Sequence, residues 1–126
     1  MEFVHNNKAP KAVGPYSQAI VTGNLVFCAG QIPLNPESMT IEVHTIEQQT
    51  RQVLANLNQV LSTVGLSLTN VVKTTVFLKN FDDFSRMNNV YAEVFNGHCP
   101  ARSTVEVSRL PMDALVEIEC IAALQG

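Results

Sequence analysis

Between Leu115 and Leu124 the chain alternates in a way that an extended strand uses best. Side chains on a strand repeat every two residues, so Val116, Ile118, Cys120, Ala122 and Leu124 share one face and Leu115, Glu117, Glu119, Ile121 and Ala123 the other. The first set is wholly apolar and has to be covered. The second mixes carboxylates with large aliphatic groups, and Val71, Lys73, Thr75 and Phe77 in an earlier run have the same mixed character. A half-apolar sheet face is unfavourable in water, so sheets from several subunits are expected to meet there. Composition agrees: 15% of the 126 residues are charged and 46% are hydrophobic, against roughly 25% charged in an ordinary globular chain.

The cover for the apolar face is also legible. Val53, Leu54, Leu57, Val60, Leu61 and Val64 recur at three- to four-residue spacing after a capping pair, Thr45 and Gln48, and stop at Gly65. Phe81, Phe84, Met87, Val90, Tyr91, Val94 and Phe95 form a second helical stripe, opened by Asn80 or Asp82. Strands are expected at Ser17–Thr22 and Leu25–Ala29 around a Gly23-Asn24 turn, at Val71–Leu78, at Ser103–Ser108 and at Leu115–Leu124. The order β-β-α-β-α-β-β, with one apolar stripe per helix, predicts a single α+β domain over residues 1–126: a mixed sheet with both helices on one face.

Several functions are disfavoured by the same reading. Eight Lys and Arg against eleven Asp and Glu give a net charge of −3, a poor match to a polyphosphate backbone, so nucleic acid is not an expected partner. The apolar runs fall far short of the ~20 residues of a membrane span, and the N-terminus lacks an apolar leader, so a cytoplasmic protein is expected. Cys28, Cys99 and Cys120 are too widely spaced for a zinc knuckle and read as free thiols, and no metal or other cofactor is expected. Phosphate-binding glycine loops, HExxH and GxSxG are absent. His5, His44 and His98 read as solvated loop residues, and the adjacent His98 and Cys99 are poorly placed to act as a nucleophilic pair.

Arg102 follows Pro100 at the start of a strand whose partner is expected to carry Glu117. A planar guanidinium suits a carboxylate held by two parallel hydrogen bonds. Glu117 and Glu119 lie about 6.6 Å apart along one face at ~3.3 Å per residue, a spacing open to acid–base work and equally to a solvated pair.

Five segments carry a resemblance that covers nearly the whole chain. Ala12-Val13-Gly14-Pro15-Tyr16-Ser17-Gln18, Ala29-Gly30-Gln31-Ile32-Pro33, Asn70-Val71-Val72-Lys73-Thr74-Thr75-Val76, Pro100-Ala101-Arg102-Ser103-Thr104-Val105-Glu106-Val107 and Glu117-Ile118-Glu119, in this order, resemble the RidA (YjgF/YER057c/UK114) family of reactive-intermediate deaminases. The resemblance implies a chorismate-mutase-like fold and a homotrimer in which three sheets form a central barrel with helices outside. It implies hydrolysis of 2-imino acids and their enamines, such as 2-iminobutanoate and 2-iminopropanoate, to 2-keto acids and ammonia at sites between subunits. Arg102 would hold the substrate carboxylate and Glu117 would activate water, while Tyr16, the backbone of Gly30, Phe84 and Asn88 would shape the pocket. Two positions depart from the family pattern: Ala29 stands where Ser is common, and Cys99 where an aromatic residue commonly precedes Pro-Ala-Arg. The alternatives weighed beside this are a metabolite-binding or oxidant-activated holdase protein without catalysis, and an endoribonuclease or translation inhibitor, for which the chain offers no paired histidines and no basic groove.

Overall fold

The computed structural model describes residues 1–124. Six strands, β1 (Glu2–Val4), β2 (Ala19–Thr22), β3 (Leu25–Gln31), β4 (Val71–Leu78), β5 (Ala101–Glu106) and β6 (Val116–Ala123), form one sheet in the order β1-β2-β3-β6-β4-β5. Only β4 and β5 are parallel to each other. Two helices, α1 (Ile46–Ser62) and α2 (Phe84–Phe95), pack on the face expected from the alternation of β6. Val116, Ile118, Cys120 and Ala122 are buried beneath them with Val53, Leu54, Leu57 and Leu61 of α1 and Met87, Tyr91 and Phe95 of α2. Thr45 caps α1, its hydroxyl accepting the Gln48 N–H at 3.1 Å.

Leu57 is fully buried at the centre of this layer. Leu57→Ala removes its contacts with the sheet and leaves a cavity, and is expected to destabilise the fold by about 2–5 kcal/mol. A denaturant titration of the variant checks this; an unchanged midpoint would mean that the core lies elsewhere.

Four differences from the sequence reading bear on the site. The N-terminal arm contains β1, which adds a sixth strand and buries Val4; three residues are too few for a period to show. A bulge lies between Val71 and Lys73, so Val71 faces the core and leaves the mixed face to Lys73, Thr75 and Phe77. An extra residue at a bulge shifts the pleat, and alternation counted straight through it misplaces everything on one side. The second helical stripe begins at Phe84; Phe81–Asp83 form a separate 3-10 turn capped by Asn80, and Phe81 is exposed. Finally, β5 pairs with β4, not with β6. The linker from Val107 to Leu115 is long enough to carry the chain past β4, so strands consecutive in sequence are not neighbours. Arg102 and Glu117 therefore do not sit on paired strands.

Candidate active site

Arg102 lies opposite Thr74, which is 1% exposed. Residues paired across a ladder point to the same face, so Arg102 projects toward the helices. Its Nη1 donates to Asn88 Oδ1 at 2.7 Å, and its guanidinium carbon stands 4.7 Å from the Tyr91 ring centroid and 5.6 Å from that of Phe84. Phe84, Asn88 and Tyr91 are spaced i, i+4, i+7 on α2 and so share one stripe. Phe84 in turn stacks on Phe81 at 5.1 Å. Beside this group a cavity of about 440 Å³ is lined by Arg102, Asn88, Tyr91, His98 and Cys99. His98 is not a solvated loop residue: its Nε2 is 2.6 Å from the Val71 carbonyl oxygen, to which it donates, and this ties the loop after α2 to the start of β4.

Glu117 lies opposite Phe77, three residues along β4 from Thr74 and on the other face of the sheet. The offset from Arg102 is about 10 Å along the strands, at ~3.3 Å per residue, in addition to the width of β4. The Glu117 carboxylate is packed against Gly30, so closely that a Cβ there would overlap it. Gly30 sits within the register shift between Cys28 and Gln31 of β3, where the ladder with β6 opens. A cavity of about 520 Å³ is lined here by Glu117, Tyr16, Ala29, Gly30, Ile32 and Met112. Tyr16 is exposed, and Met112 is held in the left-handed region at φ 55°. Burial raises the Glu117 carboxyl above the usual carboxylate range, and the charge of Glu119 adds to the effect. Glu119 itself lines a different hollow, with Phe27, Lys73 and Thr75.

The residues named from sequence thus fall into two groups within one chain. Arg102, Asn88 and Phe84 stand together on the helix side of the sheet; Glu117, Gly30 and Tyr16 stand together on the other. Sequence reasoning passed over Tyr91, whose place in the helical stripe reads as core, and Thr104, whose hydroxyl is a buried oxygen without a hydrogen-bond partner two residues beyond Arg102. The i, i+4, i+7 spacing of Phe84, Asn88 and Tyr91 was the available signal for the first.

Cys28 and Cys120 are free and buried, and they face each other across β3 and β6; their mutual hydrogen bond, together with burial, pushes the Cys120 thiol far up. Cys99 is free and exposed. Among the described residues no group of three or more His, Cys, Asp or Glu could hold a metal ion, and no helix is long and apolar enough to cross a membrane.

A two-layer α+β chain with one mixed sheet face, Arg102 on the helix side of the sheet and Glu117 on the other, defines the class. The family model described as Endoribonuclease L-PSP matches residues 6–124, and the chain belongs to this family, the RidA family. A RutC family protein of Pyrococcus horikoshii is 54% identical over 121 residues, covering 96% of each chain. Reactive Intermediate Deaminase A, chloroplastic, of Arabidopsis thaliana is 47% identical over 123 residues, covering 98% of this chain and 66% of that one. The crystal structure of E. coli TdcF with bound serine superposes with a TM-score of 0.94 at 38% identity, covering 99% of this chain and 100% of that one. A chloroplastic relative means that the cytoplasmic location expected from the sequence is not a property of the family as a whole.

Proposed function

We propose that this protein hydrolyses 2-imino acids to 2-keto acids and ammonia, at sites completed between the subunits of a homotrimer. One observation carries the reading: an oriented guanidinium and a partly desolvated glutamate, the two groups this chemistry needs, stand on opposite faces of one sheet. A second copy of the chain can oppose the two half-sites. The relative named as a reactive intermediate deaminase and the serine-bound structure, whose ligand carries an α-carboxylate and an α-nitrogen, support it.

The chemistry demands little machinery. An iminium carbon is already electrophilic, so orientation and one base supply most of the catalysis. Arg102 holds the substrate carboxylate, and Glu117 takes a proton from water as the oxygen bonds to the imine carbon. Glu117 returns that proton to the nitrogen of the resulting carbinolamine, the C–N bond breaks as ammonia leaves, and the hydroxyl gives its proton to the freed Glu117 carboxylate as the carbonyl of the 2-keto acid forms; the departing ammonia carries this last proton away as ammonium. Tyr16 and the Gly30 backbone wall the glutamate side; Phe84 and Asn88 wall the arginine side.

The family description names an endoribonuclease. In this chain, however, the histidines that such chemistry would use are dispersed, with the His98 ring engaged by Val71.

The deciding experiment couples an amino-acid oxidase or dehydratase to the protein and follows the decay of the imine. Mixed subunits test the shared site in the same assay. Arg102→Ala and Glu117→Gln chains, each inactive alone, are expected to regain about a quarter of wild-type activity when refolded together, the fraction of random interfaces with both intact halves. Imine decay at the uncatalysed rate with wild-type protein would overturn the reading. No recovery in demonstrably mixed trimers, or a stable monomer by sedimentation, would overturn the intersubunit site.

A further inference from the structure

Tyr91 touches both members of one rung of the sheet. Its hydroxyl is 2.7 Å from the hydroxyl of Thr74 on β4, and its ring lies against the guanidinium of Arg102, the residue paired with Thr74 on β5. Thr74 is almost wholly buried and Tyr91 is 7% exposed, so neither hydroxyl has water as a ready substitute partner. The hydrogen bond therefore fixes where the ring ends, and the ring face fixes the plane against which the guanidinium rests. A guanidinium carries five N–H donors in a rigid fork. Asn88 engages Nη1 from one turn earlier in α2, and Phe84 stands near the same group at 5.6 Å. Burial keeps the Tyr91 phenol above its ordinary range, against the opposing pulls of the Thr74 hydrogen bond and the Arg102 charge, so the ring is neutral where it meets the cation.

From this geometry we infer that Tyr91, tethered by Thr74, is the positioning residue that aims the Arg102 guanidinium at the substrate carboxylate. The inference rests on the proposed deaminase reading. A cation seated on an aromatic face and partly removed from water is held in place without a competing anion. An acidic partner would occupy the fork and neutralise the charge the substrate needs; a π face and an amide oxygen orient the fork while leaving it cationic. Arg102 thus has a support that restricts its rotamers before ligand arrives, which lowers the ordering cost of binding.

The test separates this role from simple packing. Tyr91→Leu removes the face, Tyr91→Phe keeps the face but cuts the tether, and Thr74→Val cuts the tether from the other side with little change of shape. For Tyr91→Leu, the KM for imine and the Kd for 2-ketobutanoate, measured by calorimetry, are expected to rise roughly tenfold, with kcat changed by less than about threefold. Tyr91→Phe is expected to restore most of that loss. Thr74→Val is expected to raise both constants by a smaller factor. The side-chain nitrogen and proton resonances of Arg102, shifted by the ring in the wild type, are expected to move in Tyr91→Leu and in Thr74→Val, a change that altered packing elsewhere would not give.

Arg102→Ala runs alongside. If it binds 2-ketobutanoate as the wild type does, the carboxylate anchor of the proposed function falls and this inference with it. If Arg102→Ala loses binding while Tyr91→Leu keeps wild-type KM, Kd and Arg102 resonances, the positioning role alone falls. Should Tyr91→Leu fail to fold, Thr74→Val decides: unchanged KM and unchanged Arg102 resonances overturn the inference.

Discussion

Glu117→Gln is expected to lower imine hydrolysis by about 10²–10⁴-fold while leaving 2-keto-acid binding intact, because it keeps the shape of the side chain and removes the base. The carboxylate sits against the Gly30 backbone in a cavity where burial, helped by Glu119, raises its proton affinity. A base with a raised pKa accepts a proton from water more readily than an exposed glutamate. It also titrates higher, so the wild-type rate should fall on the acid side through a limb lying above the usual carboxylate range. The Gln variant should lack that limb. Calorimetry with a 2-keto acid and the coupled assay across the mildly acid range give both readings on one preparation, and unchanged turnover in the variant would remove Glu117 from the mechanism.

The same group has a stability consequence of opposite sign. A carboxyl whose folded pKa lies above its unfolded value holds its proton more tightly in the fold. Its contribution is therefore fully present below the unfolded pKa and is lost as pH rises through the folded one. Above its folded pKa the ionised, half-buried Glu117 costs stability that Gln does not. The variant should melt higher than wild type there, with the gap closing as the pH falls. Under the proposed mechanism, function and folding pull on this residue in different directions, as expected of a group placed for chemistry.

How much was legible in the sequence depends on which period carried the information. The stripes of α1 and α2 and the alternation of β6 were readable because burial imposes them over many residues, as Leu57, Tyr91 and Ile118 show. β1 was not, since its pairing with β2 supplies an order that three residues cannot announce. The bulge at Val71–Lys73 was invisible because a one-residue insertion leaves the composition untouched while it reverses the faces. The neighbourhood of Arg102 depended on strand order, and no local pattern says that β5 lies beside β4 rather than β6. Motif resemblance named Arg102 and Glu117 together as a pair, and the structure places them on opposite faces of the sheet. Resemblance could not show that one chain holds them apart, nor that Tyr91 and Thr74 support the guanidinium, since both look like ordinary core residues from sequence.

Arg102→Lys is expected to lower kcat/KM for imine by about 10–100-fold although the charge is kept, because an ammonium cannot present two parallel N–H groups to a carboxylate. The surroundings sharpen that expectation. Asn88 and the faces of Tyr91 and Phe84 are arranged about a flat group of guanidinium size. A lysine Nζ reaching into the same space is a point charge with no plane to stack, and the Asn88 oxygen competes with the substrate for its donors. Most of the loss should appear in KM and in keto-acid affinity, since the proposed mechanism assigns proton transfer to Glu117, on the other face of the sheet. The fold should be indifferent: residue 102 lies on an edge strand, half-exposed, and its ladder bonds to β4 are made by backbone. A melting temperature within a degree or two of wild type, together with weakened 2-ketobutanoate binding, would place the whole effect in the guanidinium fork. Wild-type kcat/KM in the lysine variant would show instead that charge alone, without geometry, serves the site.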